Sequence, residues 1–310
     1  MVTLLCRNRK SKVLMPSRLC CLDKIATINL TSGCVHGCVY CFAKGYLQYH
    51  GNGKIVLFSN IVEKLSGELT RKKIKPRAVY FCPSCDPFQP VPEVLDNTYK
   101  AMEMLLKINI GVQFSTKAIV PLDFIELFSK YSNIVCAQIG LNSVDDEIRK
   151  IFEPATASVA EKLMTMQRLV EIGIATTARA DPLVCDVMDS DSSMVELFSA
   201  ISRVGIKEIT ISFLFLRPAI QKSLERNIND KPLLDKLLKP YCNGIELAIG
   251  IDNWQVISLS KETRQKAFKK IRHIASIFDI SVKVCGCKNS DITNEFCHIT
   301  NIPHIQVPKM

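Results

Sequence analysis

The sequence predicts an α/β fold: a partial (open) parallel α/β barrel of about six strands, with a C-terminal cysteine-containing extension. Three observations carry this. From residue 26 to about 216, short β-rich runs alternate with helical stretches, the pattern of parallel strands joined by crossovers. The units number six, fewer than the eight that close a barrel. Residues of chemical interest fall repeatedly just after the β-rich runs, where such folds place their active sites.

The strands are read in order as "ATINLT" (26–31), "AVYFC" (78–82), "GVQFST" (111–116), "IVCAQIGLN" (134–142), "ATTARADPLV" (175–184) and "EITISFLFL" (208–216). Helical stretches such as "VLDNTYKAMEMLLKI" and "VAEKLMTMQRLVEIG" lie between them. After about 218 the alternation weakens to one last unit, "VISLS", helix, "ISVKVCGC". The implied organisation is a basic N-terminal segment (1–25), a barrel core (26–218) and an extension carrying a second cysteine cluster (219–310).

Composition narrows the class. The chain has 310 residues, 47% of them hydrophobic, enough for a large core. No apolar run approaches the roughly 18 residues of a membrane helix, and the short apolar start does not read as a signal peptide. The expected location is cytoplasmic, so 14 cysteines point to metal binding or chemistry rather than disulfides. Cys136 and Cys185 lie in or next to apolar runs and read as small buried hydrophobes. The net charge of +10 is concentrated near the start, at 70–77 and at 261–273. In the last stretch Ala267, Ile271, Ile274 and Phe278 mark an apolar helix face, leaving Lys266, Lys269, Lys270 and His273 elsewhere. Those cations read either as a solvated face or as a surface for an anionic partner such as nucleic acid.

The most specific signal is "TSGCVHGCVYCFAKGY" after the first strand, with Cys34, Cys38 and Cys41 on one loop. Three thiolates hold three irons of a four-iron cluster and leave the fourth without a protein ligand. An open position is the mark of a catalytic metal centre. A zinc ion would require a fourth ligand; His36 reaches it only with strain, and His50 is the alternative.

This CxxxCxxC pattern, with Tyr40 before its last cysteine, resembles the cluster-binding motif of the radical S-adenosylmethionine (SAM) superfamily. "GCVHGCVYCFA", "CDPFQPVPE", "STKA", "IGLNSVDDEIRKIFEPATAS" and "GIATTARADPLV", in this order, resemble its spore photoproduct lyase-like branch over roughly 10–220. The Asp-Pro-aromatic-Gln-Pro run and the Glu153–Pro154 pair are the more specific parts. The resemblance implies a 4Fe–4S cluster whose open iron is chelated by SAM. It implies one electron from a donor such as flavodoxin or ferredoxin, a 5′-deoxyadenosyl radical, and hydrogen abstraction from a substrate. DNA or RNA is the expected partner class, with lyase-like repair or modification as the reaction.

Within that resemblance, roles follow strand position. Tyr40 is expected near the adenine. Ser84 and Asp86 would receive the methionine ammonium, and Thr116 and Lys117 would end the third strand, the lysine pairing with a carboxylate. Asn142 and Ser143 would meet the ribose, Ser143 having the alternative of capping a helix. Arg179 would clamp the SAM carboxylate, and Arg217 reads equally as a structural ion pair. Cys82 and Cys85 in "FCPSCDP" read as inert neighbours, as ligands of another metal, or as a hydrogen-donating thiol and its partner. Photoproduct lyases use one cysteine on this segment, so the pair is a departure.

"VCGCKNSDITNEFCHI" brings Cys285, Cys287 and Cys297 together, which photoproduct lyases do not require. A second metal centre is expected here, iron–sulfur in preference to zinc. Gly286 would provide a sharp turn. The fourth ligand would come from Cys242, His298, solvent or substrate. Peptide or small-molecule modification is the alternative reaction. A non-catalytic iron–sulfur redox sensor or nucleic-acid-binding regulator is the competing class. Polar residues at every strand end, Lys117, Asn142 and Arg179 among them, favour the enzyme, because a sensor needs only the cysteines.

Overall fold

The computed structural model describes residues 2–17, 20–22, 25–47 and 49–297. Seven parallel strands form its centre: β1 (Ala26–Ile28), β2 (Ala78–Phe81), β3 (Gly111–Thr116), β4 (Val135–Gly140), β5 (Ala175–Leu183), β6 (Glu208–Phe213) and β7 (Ser281–Val284). They lie side by side in chain order, and Met15–Pro16 pairs antiparallel with β1 at the far edge. The sheet is open: β7 and Met15–Pro16 are its two ends. All six strands expected from the sequence occur. The seventh comes from beyond residue 218 and pairs with β6, Glu208 opposite Ser281. It is the "ISVKVCGC" run read as part of the last unit, and the structure adds it to the main sheet.

The strands form because β-branched and aromatic residues dominate them, and they are buried on both faces, as parallel strands under helices must be. Every residue of β4 is buried. The helices carry apolar residues at helical spacing and turn them to the sheet. In Pro92–Lys107 these are Val94, Thr98, Ala101, Met102, Leu105 and Leu106. Ser158 and Glu161 close a capping box at the start of Val159–Glu171. Phe88, Phe114, Phe124 and Phe128 interlock in the core with centroid separations of 4.9 to 6.1 Å.

Two departures from the expected layout bear on the site. The first expected strand stops at Ile28; Thr31–Ser32 joins a small sheet with Lys54–Phe58, which also pairs with Thr3–Arg7 near the N-terminus. The cysteine loop therefore starts from a clamped strand. "VISLS" becomes part of Trp254–Ser258, paired in a hairpin with Ile245–Ile249. Leu216 bridges to Ile257, which fixes the hairpin over the end of β6. The basic stretch at 261–273 lies in the helix Lys261–Ser276, which buries Phe268, Ile271, Ile274 and Ala275. Lys266 pairs with Glu262, and Lys270 pairs with Asp191. Arg264 is fully buried and holds Asp291 with two hydrogen bonds of 2.9 and 2.7 Å.

Candidate active site

The loops after β1, β2 and β3 converge at the strand ends. Cys34, Cys38 and Cys41 all line one cavity there, of about 250 Å³. The loop that carries them is held by the very residues that made the sequence pattern specific. Gln89 accepts a 2.9 Å hydrogen bond from the Val35 N–H and donates to the Thr31 hydroxyl at 3.0 Å. Asp86 stands 3.1 Å from His36 Nε2, and His36 Nδ1 donates to the Ala155 carbonyl at 2.9 Å. The Val39 N–H donates to the Phe152 carbonyl at 2.9 Å. Gly37 takes a φ of 64°, a left-handed turn natural to glycine.

This settles the local ligand count. Burial would lower the His36 pKa, but the Asp86 carboxylate outweighs it and raises it. His36 faces Asp86 and the Ala155 carbonyl and lies away from the three thiols as a charge partner of Asp86, which leaves the loop's three cysteines as its candidate ligands. Among the described residues those three are not gathered into a group lying entirely within 4.8 Å. Three separated thiolates with no fourth partner are the donor set that a four-iron cluster with one open iron uses. Burial pushes all three thiols up, so loading with metal releases protons.

A second group of expected site residues meets beneath this loop. Glu153 is 2% exposed and accepts from Tyr40 Oη, Asn142 Nδ2 at 3.1 Å and Lys162 Nζ at 2.6 Å. Lys117 Nζ adds a 3.1 Å ion pair and sits 5.7 Å above the Tyr40 ring. Burial alone would push the Glu153 carboxyl up; Lys117 and Lys162 reverse this and hold it well below the ordinary carboxylate range. Gly140 permits the arrangement, since a Cβ there would meet Lys117 Cγ at 2.7 Å. The Asn142 Oδ1 is buried with no hydrogen-bond partner among the described residues. Glu153 and Lys162 were not singled out as a pair in the sequence, because nothing in a nine-residue separation announces a contact.

The remaining expected residues divide. Tyr40, Ser84, Asp86, Thr116, Lys117 and Arg179 line the cavity with Cys82 and Cys85, whereas Asn142 and Ser143 do not. Ser143 accepts from the Asp145 N–H at 3.0 Å, and Asp145 itself caps the helix Asp146–Phe152. The Asp86 carboxylate is taken up by Thr116 Oγ1, Lys117 N–H and Phe88 N–H at 2.8, 2.8 and 2.9 Å. Ser84 donates to Asn29 at 2.9 Å. Arg179 turns to Asp181 at 2.6 Å and to the Cys297 carbonyl at 3.0 Å. Arg217 has no carboxylate partner among the described residues; its guanidinium lies 5.3 Å from the Trp254 ring centroid. Trp254, Tyr46 and Phe42 continue as an aromatic row, with centroids 6.0 and 5.7 Å apart.

Cys82 is buried at a φ of 55°, a conformation uncommon outside glycine, asparagine and aspartate. Cys85 is half-buried and faces Asn29 Oδ1 at 3.7 Å. The Cys82 thiol is pushed up by burial, while its contact with the Cys85 thiol lowers the latter.

The model of the radical SAM superfamily matches residues 28–185, the span from β1 to the end of β5. The chain belongs to the radical SAM superfamily. It is a radical SAM enzyme, and the family's 4Fe–4S cluster and SAM match the three-thiol loop. The chain is 26% identical over 198 residues to the "Radical SAM Nalpha-GlyT isomerase" of Pseudomonas phage M6, covering 64% of this chain and 41% of that protein. It is 27% identical over 168 residues to an uncharacterized Methanocaldococcus jannaschii protein, covering 52% of this chain and 61% of that one. The matches thus span less than two thirds of both relatives. In fold it resembles spore photoproduct lyase. The form complexed with dinucleoside spore photoproduct superposes with a TM-score of 0.69 at 16% identity. A variant with bound AdoMet and dinucleoside spore photoproduct gives 0.72 at 15%, over 91% of this chain and 81% of that chain. No helix among the described residues is long and apolar enough to cross a membrane.

Proposed function

We propose that this radical SAM enzyme acts on a nucleobase of DNA or RNA, in a repair or modification reaction of the lyase-like kind. One observation carries the reading: Cys34, Cys38, Cys41, Cys85 and the Arg217–Trp254 stack line the same cavity. A guanidinium and an indole stacked at a cavity mouth offer the flat surfaces on which bases stack. The net charge of +10 favours an anionic polymer. The dinucleoside bound by the spore photoproduct lyase of matching fold is consistent with a substrate of this class.

When bound, the cluster and SAM supply the 5′-deoxyadenosyl radical. The protein's part is to hold Cys34, Cys38 and Cys41 on a loop pinned by Gln89, His36 and Asp86. Lys117 forms the polar wall beside Tyr40, and Asn142, behind it, donates to the Tyr40 hydroxyl at 2.9 Å and so holds that ring in place. Ser84 lies at the cavity wall, where its hydroxyl oxygen can accept from an ammonium. Cys85 is the thiol best placed to give up a hydrogen atom, since it is half-buried, whereas Cys82, which also lines the cavity, is 3% exposed. Its S–H bond breaks homolytically, the hydrogen atom passes to the substrate radical, and the sulfur is left as a thiyl; transfer of the Cys82 hydrogen atom restores the Cys85 thiol and leaves the radical on the Cys82 sulfur, to be reduced by one electron from the external electron donor with one proton from solvent.

The test is anaerobic turnover with dithionite, SAM and DNA or RNA oligonucleotides, with and without ultraviolet lesions, reading 5′-deoxyadenosine and nucleoside mass changes. Deoxyadenosine formation stimulated by oligonucleotide, with a new nucleoside mass, supports the reading. Stimulation by peptides or metabolites and not by oligonucleotides overturns the substrate class.

A further inference from the structure

The C-terminal thiols line the same cavity as the cluster loop but have a different geometry. The Cys21, Cys287 and Cys297 sulfurs all lie within 4.8 Å of one another. Cys285 is 3.5 Å from Cys287, and Cys287 is 3.5 Å from Cys297. Cys285 and Cys297 are 0% and 1% exposed, and Cys21 is 8% exposed. All four are free thiols, too far apart for a sulfur–sulfur bond of about 2.05 Å. The geometry points to a single zinc ion held by Cys21, Cys287 and Cys297, with Cys285, 3.5 Å from Cys287 but outside that 4.8 Å group, swinging in as the fourth ligand, separate from the iron–sulfur loop.

The spacing decides between one ion and a cluster. With a Zn–S bond of about 2.3 Å, tetrahedral geometry sets the sulfurs about 3.8 Å apart. A four-iron cluster gives each thiolate its own iron and inserts the iron–sulfide cube between them, so its ligands stand much further apart. The 34–41 loop has the looser spacing, and the C-terminal site has the tight one. This reverses the iron–sulfur preference drawn from spacing alone. Three thiols within thirteen residues looked incomplete and therefore open. Cys21 completes the set from the other end of the chain. Cys242 is exposed and outside the group, and His298 lies outside the described residues.

The surroundings are built to hold such a site. The Cys297 carbonyl accepts from Gln138 Nε2 at 2.8 Å and from Arg179 at 3.0 Å, fixing its backbone against β4 and β5. Four thiolates on one divalent ion leave net negative charge, and Arg179 Nη2 lies 3.9 Å from the Cys297 sulfur to offset it. Gly286 does its work by close approach and not by a left-handed turn: a Cβ there would meet the Glu295 carbonyl oxygen at 2.6 Å. That contact lets Cys285 and Cys287 face one point. Cys285 directly follows β7, and Cys21 lies between Met15–Pro16 and β1, so the ion joins the two ends of the open sheet. Four protein ligands leave no open position, which makes the role structural.

Metal analysis of the anaerobically purified full chain tests this. About one zinc beside about four irons per chain is expected. Cys21→Ser should lose the zinc and keep the iron, Cys21→His should retain zinc, and the Cys34/Cys38/Cys41→Ala triple variant should lose the iron and keep the zinc. Growth with cobalt should give the visible ligand-field bands of a tetrahedral thiolate site in the triple variant. If Cys21→Ser does not fold, release of about one zinc from the wild type by a thiol-blocking mercurial, read with a metallochromic dye, serves instead. About eight irons with no zinc overturns the proposal, as does the absence of any metal beyond the first cluster. Zinc retained in a folded Cys21→Ser protein overturns the ligand set.

Discussion

Lys162 and Glu153 form a 2.6 Å ion pair in which the side chains are 1% and 3% exposed. Lys117 reaches the same carboxylate at 3.1 Å, so a single buried anion holds two cations. Removing it leaves both uncompensated. Glu153→Gln is therefore expected to cost roughly 3 to 5 kcal/mol, and Glu153→Gln combined with Lys162→Met less than the single change. The pH dependence has a definite sign. The folded pKa of Glu153 is depressed, so its contribution is fully present above the ordinary carboxylate range and is lost as pH falls through and below it. Thermal melts of wild type and Glu153→Gln should converge as pH is lowered; a constant gap across acid pH would contradict the assignment.

Any single alanine at Cys34, Cys38 or Cys41 should remove the visible absorbance of the cluster and reductive SAM cleavage together. Since His36 is held by Asp86 and Ala155, it cannot substitute for a lost thiol. Reductive formation of 5′-deoxyadenosine by the triple-alanine protein would refute this reading of the loop.

Cys85→Ala should leave 5′-deoxyadenosine formation within a few-fold of wild type while diverting product into adducts or abortive forms. Cys82→Ala, at the more deeply buried of the two thiols, should do so more weakly. An unchanged product distribution in both variants and in the double variant would remove the hydrogen-donating role.

Trp254→Ala is expected to weaken oligonucleotide binding by about 5- to 100-fold, the equivalent of one lost stacking contact of about 1–3 kcal/mol. Arg217→Lys, which keeps the charge but not the flat guanidinium, should show a smaller loss. Fluorescence anisotropy at two salt concentrations checks both, and equal affinities in all three proteins would argue against the stack as a base platform.

The parallel strands and the cluster loop were legible because both are local signals. β-Rich runs reveal themselves within six residues, and the cysteine spacing within eight. Asp86 and Gln89 were visible as a motif, yet their work, holding His36 and Val35, is a contact between separate loops. Arg179 lines the cavity as the strand-end rule expects, and its donors go to Asp181 and the Cys297 carbonyl, partners that the rule does not reveal. Cys21 was hidden for the same reason. It is adjacent to Cys20 in sequence, and the doublet was the available sign, but only the folded sheet brings it to Cys287.

The two edges of the sheet are made at different times. Cys21 and the 34–41 loop precede β7 and Cys297 in the chain by more than two hundred residues, so a nascent barrel would stand open on one side after its first loop has emerged. Iron–sulfur delivery has a side entrance during that interval, and docking of β7 with its thiols shuts it. A chain shortened to end before Ser281 should accordingly take up iron from a donor faster than the full chain does and lose it faster to a chelator; equal rates would show that the cluster loop is reached from elsewhere.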